Sequence, residues 1–559
     1  MTIVTIPLFP FLLLIAIAAT ICFSCCYTNS NVNVVCIESE REALLKLKND
    51  LTDPSNRLSS WVEGGDCCKW NGVVCHNITG HVHQLHLAAP PPPPPDDYFA
   101  SLAERDAYYR SKLGGRVNPS LLQLKHLTSL DLSNNNFSSI QIPEFLGLLG
   151  SLTYLNLSRA LFKGAVPHNL GNLSKLQYLD LRCEVFQFLG LGPSYMEARS
   201  LEWVSGLSSL QYLDLSGVDL HKASDWLQVT FNIPSLIELH LSGCGLAADP
   251  SPISNVNSTK SLAVLDLSLN QFFSLPMSIF SLHGLVSIDL SSNSLRGPVP
   301  DYFGNMSFLE VVDLSSNSLD SSIPNSLYSL NRLQFLSLGN NNFQGEISSA
   351  IGNLSSLTHL DLSVNMLEGR LPSSLEHLVK LKELDVSGCK LEGPIPDYLG
   401  NMSFIQVVDL SYNKFRGRLP TSLEHLVKLE ELDVSGCKLE GPIPDYLGNM
   451  SFLQVVDLSY NKLQGRLPTS LEHLCNLKEI DLSSNQIEGD ISEILRTLSS
   501  CSLGCLESLC MADNKLSGRL TDRLGQFKNL VHLSLAGNTI SGPIPLSIGE
   551  SSLMFQEIN

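Results

Sequence analysis

Leucines recur along this chain in one phrase, L-x-x-L-x-L-x-x-N, followed by L-x-G-x-I-P. Clear copies are Leu127–Asn135, Leu262–Asn270, Leu333–Asn341, Leu357–Asn365, Leu453–Asn461 and Leu530–Asn538. From Asn293 to Asn485 the ninth position returns every 24 residues. A period this short means a solenoid, because one such unit can bury its apolar face only against its neighbours. Within a unit, Leu360 and Leu362 flank polar Asp361, which predicts a short strand with one buried face. Ninth positions from 90 to 538 number eighteen, within residues 81–550. Stacked about 4.8 Å apart, eighteen strands make a parallel sheet roughly 85 Å long. The ninth-position Asn365 is expected in a buried turn, satisfying backbone groups that no ladder partner reaches. Cys389 and Cys437 fill the same slot and read as buried ladder residues rather than reactive thiols.

The period slips in a few places. Spacing stretches to 34 between Glu184 and Val218 and to 29 between Asn485 and Asn514, and such long repeats map to loops on one face. Ser374–Thr421 and Ser422–Thr469 are near-identical copies. Residues 36–80 form a separate first unit. An amphipathic helix is predicted there through Ala43, Leu44, Leu45 and Leu47, with Ser39 as its N-cap and Glu42 three residues on. Such a unit covers the open end of the solenoid core. A degenerate first repeat follows at Val82–Pro90, with Leu85 and Leu87 as strand leucines. Pro90 to Pro95 then open an insertion spanning 90–112, read as a stiff polyproline II spur and an exposed loop.

Residues 1–27 differ from the rest: Ile6 to Phe23 is almost wholly apolar and small or polar residues follow. This reads as a signal peptide, with a retained signal anchor as the alternative because the n-region lacks Lys and Arg. No later stretch reaches the ~18 apolar residues of a spanning helix, so the mature chain is expected to be soluble, with no membrane helix beyond that segment. Cys22, Cys25 and Cys26 leave with the signal. Secretion makes Cys36, Cys67, Cys68 and Cys75 an even disulfide set with three open pairings. Zinc fits poorly, because adjacent cysteines strain tetrahedral ligation. Nine Asn-x-Ser/Thr sequons stand at Asn77, Asn136, Asn156, Asn172, Asn257, Asn305, Asn353, Asn401 and Asn449 and read as glycan acceptors.

Net charge is −19, which disfavours nucleic acid as a partner. Asp131, Asp266, Asp361, Asp481 and their equivalents form a stripe between the strand leucines; its uniformity marks it as structural rather than as a cation site. Departures from the consensus carry more information. Tyr154, Arg159, Tyr178, Arg182, Tyr212 and His240 lie in the N-terminal third, and Phe335, His359, Tyr412, Tyr460 and His532 further along. Aromatics and arginines on an open face are the types that anchor interfaces. No catalytic set emerges, since the repeat places Ser, His and Asp at parallel equivalent sites instead of converging ones. Neither an enzymatic activity nor a cofactor or metal is expected.

Taken together, these residues resemble a known family. The L-x-G-x-(I/V)-P phrase after each Asn is similar to the plant-specific leucine-rich repeat class. The run from Cys36 through Glu42-Ala43-Leu44-Leu45, Trp61 and Cys67-Cys68-Lys69-Trp70 to Cys75 resembles that class's N-terminal cap. Leu124-Lys125-His126-Leu127, Gly171-Asn172-Leu173-Ser174, and Leu474-Cys475-Asn476-Leu477 with Cys501 are similar to plant receptor-like proteins around the fungal-xylanase elicitor receptors. The resemblance implies an α/β solenoid: a curved plant-type superhelix with a concave parallel β-sheet and a disulfide-stapled cap. It implies the pairs Cys36–Cys67 and Cys68–Cys75, with Cys475 and Cys501 also disulfide cysteines. It further implies that the sheet side and lateral faces bind an elicitor or peptide, and that a receptor kinase co-receptor docks near the C-terminal repeats.

That family continues with more repeats, a C-terminal cap, a membrane helix and a short tail. Here 551–559 reads as the truncated start of a further repeat, so an incomplete gene model or degenerate paralogue is expected. The leading expectation is the ligand-recognition part of a cell-surface receptor-like protein in defence or development. Its location is then the secretory pathway and the outer face of the plasma membrane, or the apoplast if no membrane helix follows. The alternatives are a secreted inhibitor of microbial wall-degrading enzymes, as polygalacturonase-inhibiting proteins are, or a non-signalling decoy. Eighteen repeats exceed the roughly ten of that inhibitor family and favour the receptor.

Overall fold

The computed structural model describes residues 35–91, 102–138, 140–183, 196–247, 261–545 and 557–558. The expectations for the leader with Cys22, Cys25 and Cys26, for Asn257, for Pro92 to Pro95 and for 551–556 lie outside these residues. Among the described residues no helix is long and apolar enough to cross a membrane.

Three-residue strands stack in register along one face. His359–Asp361 pairs in parallel with Phe335–Ser337 on one side and Glu383–Asp385 on the other, so Leu360 faces Leu336 and Leu384. The same register runs from Val82–His86 to His532–Ser534, and Glu557–Ile558 joins its end. Val73–Cys75 from the N-terminal unit closes the other end as an antiparallel partner of Val82–His86. The strand leucines point inward into one continuous apolar core, where burial of each is worth about 2 kcal/mol.

The ninth-position side chains lock successive units together. Asn365 Nδ2 donates to the carbonyls of Leu362 and Ser363 in its own turn and to Leu338 of the preceding unit, each at 3.0 Å. Its Oδ1 accepts the Phe343 N–H at 2.9 Å. Cys389 and Cys437 take the same slot, their thiols 3.4 and 3.5 Å from the carbonyls of Leu362 and Leu410. Burial pushes both thiols up to about 11, which keeps them protonated and inert.

After each Asn the chain does more than turn. The L-x-G-x-I-P phrase forms a second parallel sheet, from Gln344–Glu346 through Lys390–Gly393 and Lys438–Gly441 to Lys515–Ser517. Gly441 ends its strand at φ +89°, in the left-handed region that only glycine enters without strain. The proline then caps a 3₁₀ helix, as Pro396 does for Asp397–Asn401, and i→i+3 turns of this kind fit a unit too short for an α-helix. Gly400 lets these turns nest, because a Cβ there would lie 2.2 Å from the Ser422 carbonyl. The 29-residue spacing before Asn514 makes room for an α-helix instead, Ile491–Leu498, stapled nearby by Cys475–Cys501.

The cap carries the implied disulfides Cys36–Cys67 and Cys68–Cys75, so its clustered sulfurs are committed to covalent pairs. Its helix, Glu38–Asp50, buries Ala43, Leu44 and Leu47, and Trp61 stacks on Trp70 at 5.4 Å. Ser39 is not the N-cap: Ile37 holds that position without a side-chain bond, and acidic Glu38 and Glu40 fill the first turn. Glu40, 3% exposed, accepts from the Val82 N–H at 2.7 Å and lies 2.9 Å from His81 Nδ1, bolting the cap to the first strand.

The insertion is not all loop. Leu102–Arg110 is an α-helix supported by an Asp106–Arg110 pair at 2.8 Å; the proline run had masked the helix-forming residues behind it. Arg57 reaches both ends of the insertion, donating to the carbonyls of Leu87 and Ala88 just before it and of Ser111 near its end.

Asn365→Ala should strip the Phe343 N–H of its acceptor at a cost of about 2 kcal/mol, or roughly 30-fold faster amide exchange there. Asn365→Cys should lose less, since Cys244, Cys389 and Cys437 already fill this position with a thiol on the preceding unit's carbonyl. Equal loss in the two variants would refute the side-chain ladder.

Candidate functional site

The parallel register brings together residues far apart in sequence. Tyr178 is the Cα partner of Tyr154 on one side and Tyr212 on the other. Strands about 4.8 Å apart place such side chains at ring-stacking distance. The rings stack at 4.4 and 4.3 Å with interplanar angles of 12° and 8°. His240 continues the row, 5.4 Å from Tyr212 and tilted.

Charge lies beneath and beside the rings. Asp180 and Asp214 are 1% and 2% exposed, and Arg182 bridges them at 3.4 and 3.5 Å. The Tyr178 and Tyr212 hydroxyls lie 3.5 and 3.4 Å from Asp180 and Asp214. Burial, then those carboxylates, push both phenols far above their usual range, so they remain donors at any working pH. Burial and then the neighbouring Asp214 raise the Asp180 carboxyl. Burial opposes a charged His240, but Asp266 and Glu238, each 3.6 Å away, outweigh it and raise the imidazole to about 10. The patch therefore presents three phenols and two cations inside an acidic surround.

The other expected residues divide by position. Arg159 lies on the flank of this patch, its N–H bonded to the Arg182 carbonyl at 2.7 Å. Phe335 and His359 make a smaller concave pair at 5.9 Å, with His359 3.3 Å from Glu383. Tyr412 and Tyr460 are off the sheet, in left-handed turns at φ +51° and +52° and 63% and 61% exposed. His532 is half-buried on a strand remote from the others. Asn156 does not fit the glycan acceptor expected of it. It is half-buried within the patch, its amide 3.3 Å from the Tyr154 hydroxyl and its Oδ1 accepting from Ser158. Asn77, Asn136, Asn172, Asn305, Asn353, Asn401 and Asn449 are exposed.

Sequence reasoning passed over Asp180, which extends the stripe into the patch; its place between two strand leucines was the available signal. It also passed over a lateral cleft lined by Arg466, Leu467, Glu488, Glu493, Ile494 and Arg496, which the 29-residue spacing marks. The Asp stripe itself is structural: Oδ1 accepts the N–H two residues on, as at Ser363, Ser387 and Ser411 (2.9, 2.8 and 2.9 Å).

Stacking carboxylates in register has a pH signature. Burial, then a neighbouring carboxylate, raises Asp385 to about 6; burial likewise carries Asp433 to about 6, and Asp289 is raised too. A raised folded-state carboxyl binds more protons than its unfolded form, so stability grows as pH falls from above about 6 toward 4. His240, raised to about 10, acts in the same direction. Melting temperature should therefore be higher at pH 5 than at pH 7.5. The Asp385→Asn/Asp433→Asn double variant keeps the acceptors, and it should melt higher at pH 7.5 with a smaller pH difference. A lower melting temperature at pH 5 in the parent chain would contradict this assignment.

Comparison with known proteins places this geometry. A model described as a leucine-rich repeat region matches residues 309–558, one for the leucine rich repeat N-terminal domain matches 37–76, and a leucine rich repeat model matches 125–183. Receptor-like protein EIX1 of Solanum lycopersicum is 40% identical over 291 residues, covering 51% of this chain and 26% of that protein. Receptor-like protein EIX2 of the same plant is 34% identical over 296 residues, covering 52% and 27%. The chain thus spans about a quarter of the length of these relatives. The Arabidopsis receptor kinase HAESA, solved in complex with the peptide hormone IDA and the co-receptor SERK1, aligns at TM-score 0.72 and 28% identity over 92% of this chain and 80% of that one. The plant peptide hormone receptor RGFR1, in complex with RGF2, shares the fold at TM-score 0.59 and 24% identity, over 87% and 86%. The chain is a leucine-rich repeat protein whose repeats and N-terminal cap are like those in the ectodomains of plant receptor-like proteins.

Proposed function

We propose that this chain is the ligand-recognition region of a cell-surface receptor in defence or developmental signalling. It takes a peptide or protein elicitor on its concave face, centred on Tyr154, Tyr178, Tyr212, Arg182 and His240. The observation that carries this reading is the stacked tyrosine row with two embedded cations, set in an otherwise uniform acidic stripe. Rigid aromatic rings offer contact area at low entropy cost, and arginine adds directional donors. HAESA, similar in fold, is described with a bound peptide and a co-receptor. By analogy a receptor kinase co-receptor docks here near the C-terminal repeats, and the chain works at the outer face of the plasma membrane.

The test uses the secreted full chain, immobilised and challenged with purified fungal xylanase and with the extracellular peptide fraction of elicited leaves. A species retained by the parent chain should be retained at least about tenfold less by Tyr154→Ala/Tyr178→Ala/Tyr212→Ala. The Tyr412→Ala/Tyr460→Ala variant should keep it. Retention by the triple variant equal to that of the parent would remove the concave row from recognition.

A further inference from the structure

Exposed aromatic rings also gather on the edge where the chain enters each concave strand. Phe308, Phe404 and Phe452 are 49%, 50% and 56% exposed. They share one position, immediately before the first buried residue of the strand phrase: Leu309, Ile405 and Leu453. Other units hold Arg332, Lys380 or Lys428 there, as a solvated turn favours. A row of half-bare phenylalanines on a secreted surface needs a cover.

Each of the three rings follows a sequon asparagine by three residues: Asn305, Asn401 and Asn449. Each of these asparagines is exposed and ends a 3₁₀ helix: Asp301–Asn305, Asp397–Asn401 and Asp445–Asn449. A tight double turn then joins asparagine to ring. The Ser403 N–H bonds the Asn401 carbonyl at 3.0 Å and the Ile405 N–H bonds the Met402 carbonyl at 3.0 Å. In the next copy, Ser451 bonds Asn449 at 3.1 Å and Leu453 bonds Met450 at 2.9 Å. Met402 and Met450 are buried beneath, so Asn and Phe share the outer corner of the turn. Lys428 stands 4.4 Å from the Phe404 ring centre and Arg332 5.3 Å from that of Phe308, yet half of each ring stays open.

We propose that Asn305, Asn401 and Asn449 carry N-linked glycans whose first sugars lie on Phe308, Phe404 and Phe452. The inference rests on passage of the chain through the secretory pathway. Sugar C–H groups carry partial positive charge and meet the negative face of an aromatic ring. Successive members of the row, Asn305, Asn353, Asn401 and Asn449, fall on alternate units about 10 Å apart, which leaves room for each glycan beside the next. Asn353 has Ser356 in place of the ring and provides the internal comparison. The strand-entry edge of these units is then sheathed in carbohydrate, and a protein partner reaches the concave face over the opposite edge, where Tyr412 and Tyr460 are bare.

The test takes the full chain secreted from a eukaryotic host and maps glycan occupancy by mass spectrometry. Hydroxyl-radical footprinting follows, before and after enzymatic glycan removal. Asn401 and Asn449 should be occupied. Oxidation of Phe404 and Phe452 should rise about threefold on deglycosylation as the ring faces open, with Tyr412 and Tyr460 unchanged as controls. Asn401→Gln should expose Phe404 while leaving Phe452 protected. Unoccupied Asn401 and Asn449, or equal oxidation before and after glycan removal, would overturn the proposal.

Discussion

Strands of three residues cannot hold a sheet by their own ladders, and the structure depends on the side chain that supplements them. Each ninth-position amide spans two units, donating to carbonyls in both and accepting an N–H from the earlier one, as Asn365 does with Leu338, Leu362 and Phe343. A net hydrogen bond is worth about 1 kcal/mol, but an orphaned buried carbonyl costs more, so the slot tolerates few residue types. Cysteine at 389 and 437 keeps a carbonyl contact and accepts weakly from backbone N–H groups of the preceding turn, as Cys389 does from Leu367, and those units persist because their neighbours supply full amides. Stability in such an array is shared between nearest neighbours rather than owned by one unit.

The strict register that results acts in opposite ways on different side chains. Aromatic residues at one position are driven to stacking distance, which favours them; carboxylates at one position are driven together, which does not. Asp385 and Asp409 face each other across paired strands, and the raised Asp385 carboxyl records the strain. Each Asp is retained because it satisfies the N–H two residues on. In the N-terminal third Arg182 and His240 neutralise the stripe where the tyrosines stack. The stacked tyrosine row and the electrostatic tension are two outcomes of one spacing.

Much of this was legible in the sequence. Alternation around Leu360 and Leu362 gave the concave strands, and the recurrence of Asn at the ninth position gave the ladder, including its Cys substitutes. The cap disulfides followed from resemblance. The second sheet was not legible, because Gly and Pro in L-x-G-x-I-P read as turn residues, and only a neighbouring copy turns such a segment into a strand. Ser39 looked like a cap because side-chain type was visible, whereas the Cys36–Cys67 disulfide and the Asp66 carboxylate that accepts the Cys36 N–H at 3.1 Å just before the helix were not. The candidate patch was legible as residue types but not as a row: Tyr178 and Tyr212 are separated by a stretched unit, and only the strand register shows them adjacent. Tyr412 and Tyr460, grouped with them by type, belong to turns.

The near-identical copies within the chain separate scaffold from surface. Ser374–Thr421 and Ser422–Thr469 differ at Lys382/Glu430, Ile405/Leu453, Phe415/Leu463 and Arg416/Gln464. The two apolar changes are at buried positions and exchange one core filler for another, which close packing tolerates when volume is roughly kept. The two polar changes are at positions open to solvent, one beside the concave sheet and one on the second sheet. Each alters charge: Glu430 accepts from Gln406 at 2.8 Å, a contact no lysine could supply. Ladder cysteines, turn glycines, sequons and the stripe aspartates are unchanged between copies. Within a single chain, then, duplication has held every residue that sets the register and altered charge only where a partner could meet it.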